Sequence, residues 1–155
     1  MTTENEVAAV LAELDAYWER HDFVGLLTLW DSDEPNPLYV AEEAPVMRGW
    51  DAIRAYFQGT QSMIARSGHR REDTMIREIG PGLARVFYQM HWNAELAPGG
   101  LFGGTLMAGD VRVTVLLRKK PEGWRIFHYM EAPPAAMLQM REAMDAKVDP
   151  DFRRG

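Results

Sequence analysis

Apolar positions at the start of the chain recur at helical spacing. Val7, Val10, Leu11, Leu14 and Trp18 fall on one stripe, because residues three and four apart stack on the same side of a helix. Thr3 followed by Glu6 predicts a capping box at its start. The His21-Asp22 step breaks this helix and Asp22 is placed to cap a second, short one, apolar at Phe23, Leu26, Leu27 and Trp30. Residues 31–37 read as loop, since prolines and short polar side chains compete with the helix backbone. Residues 38–42 and 45–48 are short strand candidates, the second ended by Gly49. Asp51 is placed to cap a third helix with Ile53, Tyr56, Phe57 and Ile64 on one face and Ser67-Gly68 at its end.

From there the period changes to two. Residues 69–79 form a polar strand candidate ended by Gly80-Pro81-Gly82. In the next, Ala84, Val86, Tyr88, Met90 and Trp92 alternate with Arg85, Phe87, Gln89, His91 and Asn93, which assigns the two sets to opposite faces. A glycine-rich connection over 97–104 leads to a β-branched strand over 109–119. Pro121-Glu122-Gly123 is a tight turn, and 124–131 the last strand. Pro133-Pro134 opens a terminal helix with Met137, Met140, Met144 and Val148 on one stripe. Helices grouped before a run of hairpin-connected strands predict an α+β fold, three helices on one face of a mostly antiparallel sheet. Long strands in a small sheet curl strongly, so the concave side encloses space.

Length and composition narrow the function. A chain of 155 residues fits one domain, here a body over 1–132 and a helical extension of it over 133–155. The absence of cysteine excludes thiol chemistry, cysteine-held metals and disulfides. A net charge of −6 argues against nucleic acid as a partner, no apolar run is long enough to span a membrane, and the acidic start lacks a signal peptide's basic residues, so a cytoplasmic location is expected. Five tryptophans and ten methionines in so small a domain indicate either a rich core or a lined cavity. His21, His69, His91 and His128 fall on different elements without ligand spacing, so no metal is expected, and no other cofactor either. Gly-Gly-Leu-Phe-Gly-Gly-Thr at 99–105 lacks the Lys-Ser/Thr ending of a phosphate cradle, and there is no Gly-x-Ser-x-Gly elbow. Arg70-Arg71 beside Glu72-Asp73 reads as a solvated charged edge.

Three stretches carry a family resemblance. Helix one turns into the second at His21-Asp22-Phe23, Gly49-Trp50-Asp51-Ala52-Ile53 leads to Tyr56-Phe57 at the entry to helix three, and Arg112 to Arg118 is followed by Gly123-Trp124-Arg125-Ile126-Phe127-His128 as a closing hairpin. In this order the chain resembles the nuclear transport factor 2-like superfamily, nearest its SnoaL-like branch, over residues 5–132. The resemblance implies a cone-shaped, half-open barrel, often dimeric. It does not fix an activity, since the superfamily holds isomerases, cyclases, dehydratases, hydrolases, lyases and non-catalytic dimerisation modules. A ketosteroid-isomerase pair would need tyrosine near Leu14 and aspartate near Val40, and neither position carries one.

A register for the closing hairpin follows if Pro121 and Glu122 are the central turn residues. Leu117 then faces Ile126, Val115 faces His128 and Val113 faces Met130, and with Trp124 this set is assigned inward, where the resemblance places the interior. Leu116, Phe127, Tyr129, and Arg112 opposite Glu131, take the outer face. A slip of one residue would exchange the two. On this register His128 is the ionisable group of the inner face and the candidate general base or acid. Glu42 and Glu43 end the first strand near the expected cavity mouth, and one of them, taken as Glu42, is its candidate proton-transfer partner, with Asp110 a weaker alternative. Trp18, Trp30, Tyr56, Tyr88, Met90, Trp92, Val113, Trp124 and Met130 are the expected lining for an apolar or aromatic small molecule. Phe87, Leu116, Phe127 and Tyr129 on the convex side predict a homodimer through the sheets. Two functions fit: cofactor-independent acid–base catalysis of the lyase, isomerase, cyclase or dehydratase type on an apolar cyclic or aromatic compound, or a non-catalytic ligand-binding or dimerisation module.

Overall fold

The computed structural model describes residues 2–42, 44–99 and 101–133. The expected terminal helix with Met137, Met140, Met144 and Val148, and the alternative acid Glu43, lie outside the described residues.

The first helix, α1 (Thr3–Glu19), buries Val7, Leu11 and Leu14, the stripe its periodicity dictates. Its cap is Thr2, whose hydroxyl accepts from the Asn5 amide, one residue before the expected Thr3. After it, Asp22 accepts from the Gly25 amide at 2.7 Å and starts a short 3-10 helix (Gly25–Leu29). Two short strands follow, β1 (Leu38–Val40) and β2 (Met47–Arg48). The next helix, α2 (Trp50–Met63), begins after Gly49, whose φ of 80° suits glycine. Asp51 therefore lies in its first turn and is not the cap. Ile64, expected on the helix, already begins the strand β3 (Ile64–Gly80). The hairpin partners β4 (Leu83–Leu96), β5 (Leu106–Lys120) and β6 (Gly123–Ala132) complete the sheet.

The fold is α+β: helices pack on one face of a curved, unclosed six-stranded sheet in the order β2-β1-β6-β5-β4-β3. All neighbours are antiparallel except β1 and β6, which run parallel. Cross-strand partners share a face, so the register sorts the side chains into rows. Ile76, Val86, Val115, Tyr129, Tyr39 and Met47 form one buried row across all six strands. Glu131, Val113 and Tyr88 form the row beside it, and beyond lie Arg71 with Met90 and Val111, then His69 with Trp92 and Gly109. These rows face α1, Phe23 and Leu26 of the 3-10 segment, and Ile53 and Phe57 of α2. No helix among the described residues is long and apolar enough to cross a membrane.

One irregularity corrects the expected register. Lys120 pairs with Gly123, so Pro121 and Glu122 are the central turn residues, and Leu117 faces Ile126 as expected. The next pair is Leu116 with His128, which leaves Phe127 as an extra residue in a β-bulge. Because side chains alternate, that one residue exchanges the faces of everything after it. Tyr129 and Glu131 turn inward, while His128 and Met130 share rows with Leu38 and Val40 on the outer face. The expected Arg112–Glu131 rim pair is absent for the same reason: Arg112 pairs with Ala132 and Glu131 is buried.

Candidate functional site

The interior holds polar groups where α1 lies on β3. Asp15, one residue past the buried stripe of α1, extends its carboxylate to two inward side chains of β3. Its Oδ1 lies 2.7 Å from His69 Nε2, and its Oδ2 accepts from Arg71 Nη2. The same Nη2 donates to the Leu11 carbonyl at 3.3 Å. Only 6% of the His69 side chain is exposed, and its Nδ1 is buried without a hydrogen-bond partner. Burial holds the imidazole below its ordinary value of 6.5, against an opposing pull from the Glu19 charge. The ring is therefore neutral at pH 7. With a carboxylate at Nε2 the proton sits there, which leaves a lone pair on Nδ1.

Arg71 links this pair to a second group. Its guanidinium lies 5.2 Å from the centre of the Tyr88 ring, and the Tyr88 and Tyr129 hydroxyls meet at 3.2 Å in the core. Burial pushes the Tyr88 hydroxyl up to about 12 and raises Tyr129 well above its ordinary value, so both stay protonated. Tyr39 stacks on Tyr129 at 5.1 Å and touches Tyr56 at 5.2 Å. Arg71 thus points into the protein from a stretch that reads as a solvated edge; burial lowers its own pKa without depriving it of charge.

A cavity of about 100 Å³ opens beside these residues, lined by Trp18, Tyr39, Tyr56, Met90, Trp92 and Glu131 among others. Trp18 stands between cavity and histidine: it lines the one and meets the His69 ring edge-on at 5.9 Å. At the other side the Trp92 indole donates to Glu42 Oε1 at 2.6 Å, and the Glu42 amide donates to Glu131 at 3.4 Å.

The residues read from sequence divide accordingly. Trp18, Tyr56, Met90 and Trp92 line the cavity, and Glu42 is hydrogen-bonded to that wall. Trp30 borders a much smaller void beneath Tyr39, Tyr88 is tied up with Tyr129, and Val113 is wholly buried. Trp124 is core at the opposite end of the sheet, donating to Glu6 at 2.8 Å. His128 and Met130 face away, placed there by the bulge, and burial alone lowers the His128 pKa. Asp110 pairs with His91 on the outer face at 2.8 Å. Sequence reasoning missed Asp15, His69, Arg71, Tyr39 and Glu131. The signal for Asp15 was its place one turn before Trp18, at the edge of the apolar stripe; for His69 and Arg71 it was period-two spacing opposite Trp92 and Met90. No group of three or more ligating side chains among the described residues is arranged to hold a metal.

The model of the SnoaL-like domain matches residues 7–136. The chain belongs to the SnoaL-like domain family. No curated protein matches it. Among solved structures, this SnoaL-like domain is similar to a candidate dehydratase of the nuclear transport factor 2-like family from Streptomyces avermitilis, with a TM-score of 0.71 and 19% identity over 83% of this chain and 94% of that one. It is similar to a candidate scytalone dehydratase from Novosphingobium aromaticivorans, with a TM-score of 0.70 and 10% identity over 84% and 83%. A type 2 hexachlorocyclohexane dehydrochlorinase superposes with a TM-score of 0.69 and 8% identity over 85% of each chain. At these identities the likeness is one of fold.

Proposed function

We propose that this SnoaL-like domain binds a small apolar ring compound and catalyses a cofactor-independent elimination, with His69 as the base. The observation that carries this reading is the buried His69 side chain paired with half-buried Asp15 behind an aromatic-lined cavity. Asp15 fixes the ring and its tautomer, so the lone pair on Nδ1 is held ready, as a carboxylate orients a histidine in other proton-transfer sites. A positioned base of this kind contributes roughly 10²–10⁴ in rate. On a cyclic β-hydroxy ketone, Nδ1 takes the proton from the carbon beside the carbonyl. The freed electron pair becomes the carbon–carbon double bond, the neighbouring C–O bond breaks, and the departing hydroxide recovers the proton as water. Trp18 rotates aside to bring the substrate to Nδ1, while Tyr39, Tyr56, Met90 and Trp92 supply the walls.

The family generally binds small molecules and often forms dimers. The names of the structural neighbours add support: a dehydratase removes water and a dehydrochlorinase removes HCl, and both reactions are eliminations. One observation favours a second reading, a non-catalytic binding module: Trp18 shuts His69 off from a small cavity. The two separate on 3-hydroxycyclohexanone, whose dehydration to cyclohexenone is followed by ultraviolet absorbance. The wild type turns it over and His69→Ala loses roughly 10²–10⁴ of the rate while still unfolding cooperatively. Equal rates in the two proteins contradict the assignment.

A further inference from the structure

We infer that Trp92, seated flat on Gly109 and held by Glu42, sets the size of ring compound that the cavity accepts, which rests on reading that cavity as the ligand site. Trp92 and Gly109 are direct cross-strand partners on β4 and β5. A Cβ built at Gly109 would lie 2.8 Å from each of Cε2, Cζ2 and Nε1 of the indole, closer than real side chains approach. The Gly109 backbone is not in the left-handed region, so the position needs glycine for the ring and not for its φ. The same edge of the indole is fixed as well, by the 2.6 Å hydrogen bond from Nε1 to Glu42 just beyond β1. Trp92, reaching from β4 over β5, and Glu42, reaching back from the end of β1, therefore form one wall.

The space inside that wall is about 100 Å³. An apolar cavity of roughly 150 Å³ takes up benzene, so a space of this size holds no more than one small ring and excludes a fused pair. A larger open cleft of about 550 Å³ adjoins it, sharing Asn93, Ala94 and Met107 as lining. Removing the indole enlarges the inner space, whereas a Cβ at 109, which points inward from the same row, pushes the indole further into it. The small residue at 109 and the acid at 42 thus act together as determinants of substrate size, through Trp92.

The test compares the dissociation constants of phenol and 1-naphthol, by calorimetry, for wild type, Gly109→Ala and Trp92→Ala. The wild type prefers phenol, Trp92→Ala shifts the ratio towards 1-naphthol by roughly tenfold or more, the scale on which apolar pockets discriminate by size, and Gly109→Ala shifts it further towards phenol. Should Gly109→Ala fail to fold, Trp92→Ala carries the comparison. A folded variant with the wild-type ratio overturns the inference, as does a wild type that binds both compounds equally, which leaves the cavity reading intact. If the wild type binds neither and Trp92→Ala binds 1-naphthol, the wall stands and the inner cavity is not the ligand site. If no protein binds either compound, both readings fall.

Discussion

The tyrosine hydroxyls at 88 and 129 show how a single buried polar pair constrains this interior. Each residue is nearly inaccessible, and the two hydroxyls satisfy one another. Tyr88→Phe strands the Tyr129 hydroxyl without that partner and is expected to cost about 1–3 kcal/mol. Adding Tyr129→Phe should cost less than the sum of the two single changes, because the second hydroxyl no longer lacks a partner. Denaturant unfolding of the four proteins measures the coupling, and strict additivity would contradict the bond. The contrast between Tyr88 and His69 also shows what residue type reveals. Large apolar residues on a helical stripe or an alternating strand declare themselves as interior, and Trp18, Tyr56, Met90 and Trp92 were legible that way. His69 and Arg71 sit among charged neighbours on β3, most of them exposed, and only their contact with Asp15 across the α1 interface gives them a role.

At the scale of elements, Phe127 decides which residues the last strand offers to the cavity. The hairpin turn and the first strand pair after it follow from the sequence, since proline and glycine mark the turn and the strands alternate. A bulge leaves no such mark. Phe127 is apolar, as either face would tolerate, so nothing local announces that His128 turns out and Tyr129 and Glu131 turn in. The start of α2 likewise carries no side-chain mark: its cap is Gly49, which makes no side-chain hydrogen bond, and Asp51 lies in the first turn. Deleting Phe127 should restore plain alternation, withdrawing Tyr129 from its stack on Tyr39 and driving His128 into the apolar row. Losing the buried pair and burying an unpartnered histidine together are expected to cost about 4 kcal/mol or more. Thermal unfolding by circular dichroism checks this, and a deletion variant as stable as the wild type would contradict the assigned register.

At the scale of the molecule, the same bulge redraws the outer face. The convex row is Met75, Phe87, Thr114, Met130 and Val40, with half-buried Leu116, His128 and Leu38 beside it. Met75 is 54% exposed and Met130 40%, so the row offers an apolar strip that a second copy can cover. Light scattering is expected to give a mass that approaches twice 17.7 kDa with rising concentration, and Phe87→Lys should keep the protein monomeric. A wild-type monomer at all concentrations contradicts it. The inner face carries the central claim, that a neutral His69 oriented by Asp15 is the base. Its most direct test is the pH dependence of kcat/KM for 3-hydroxycyclohexanone. A base with a lowered pKa is active when unprotonated, so the rate should hold down to below pH 6.5 and fall only as pH drops through the depressed His69 value. That limb should vanish in His69→Ala. A limb at or above pH 6.5, or one that survives in His69→Ala, would show that another group takes the proton.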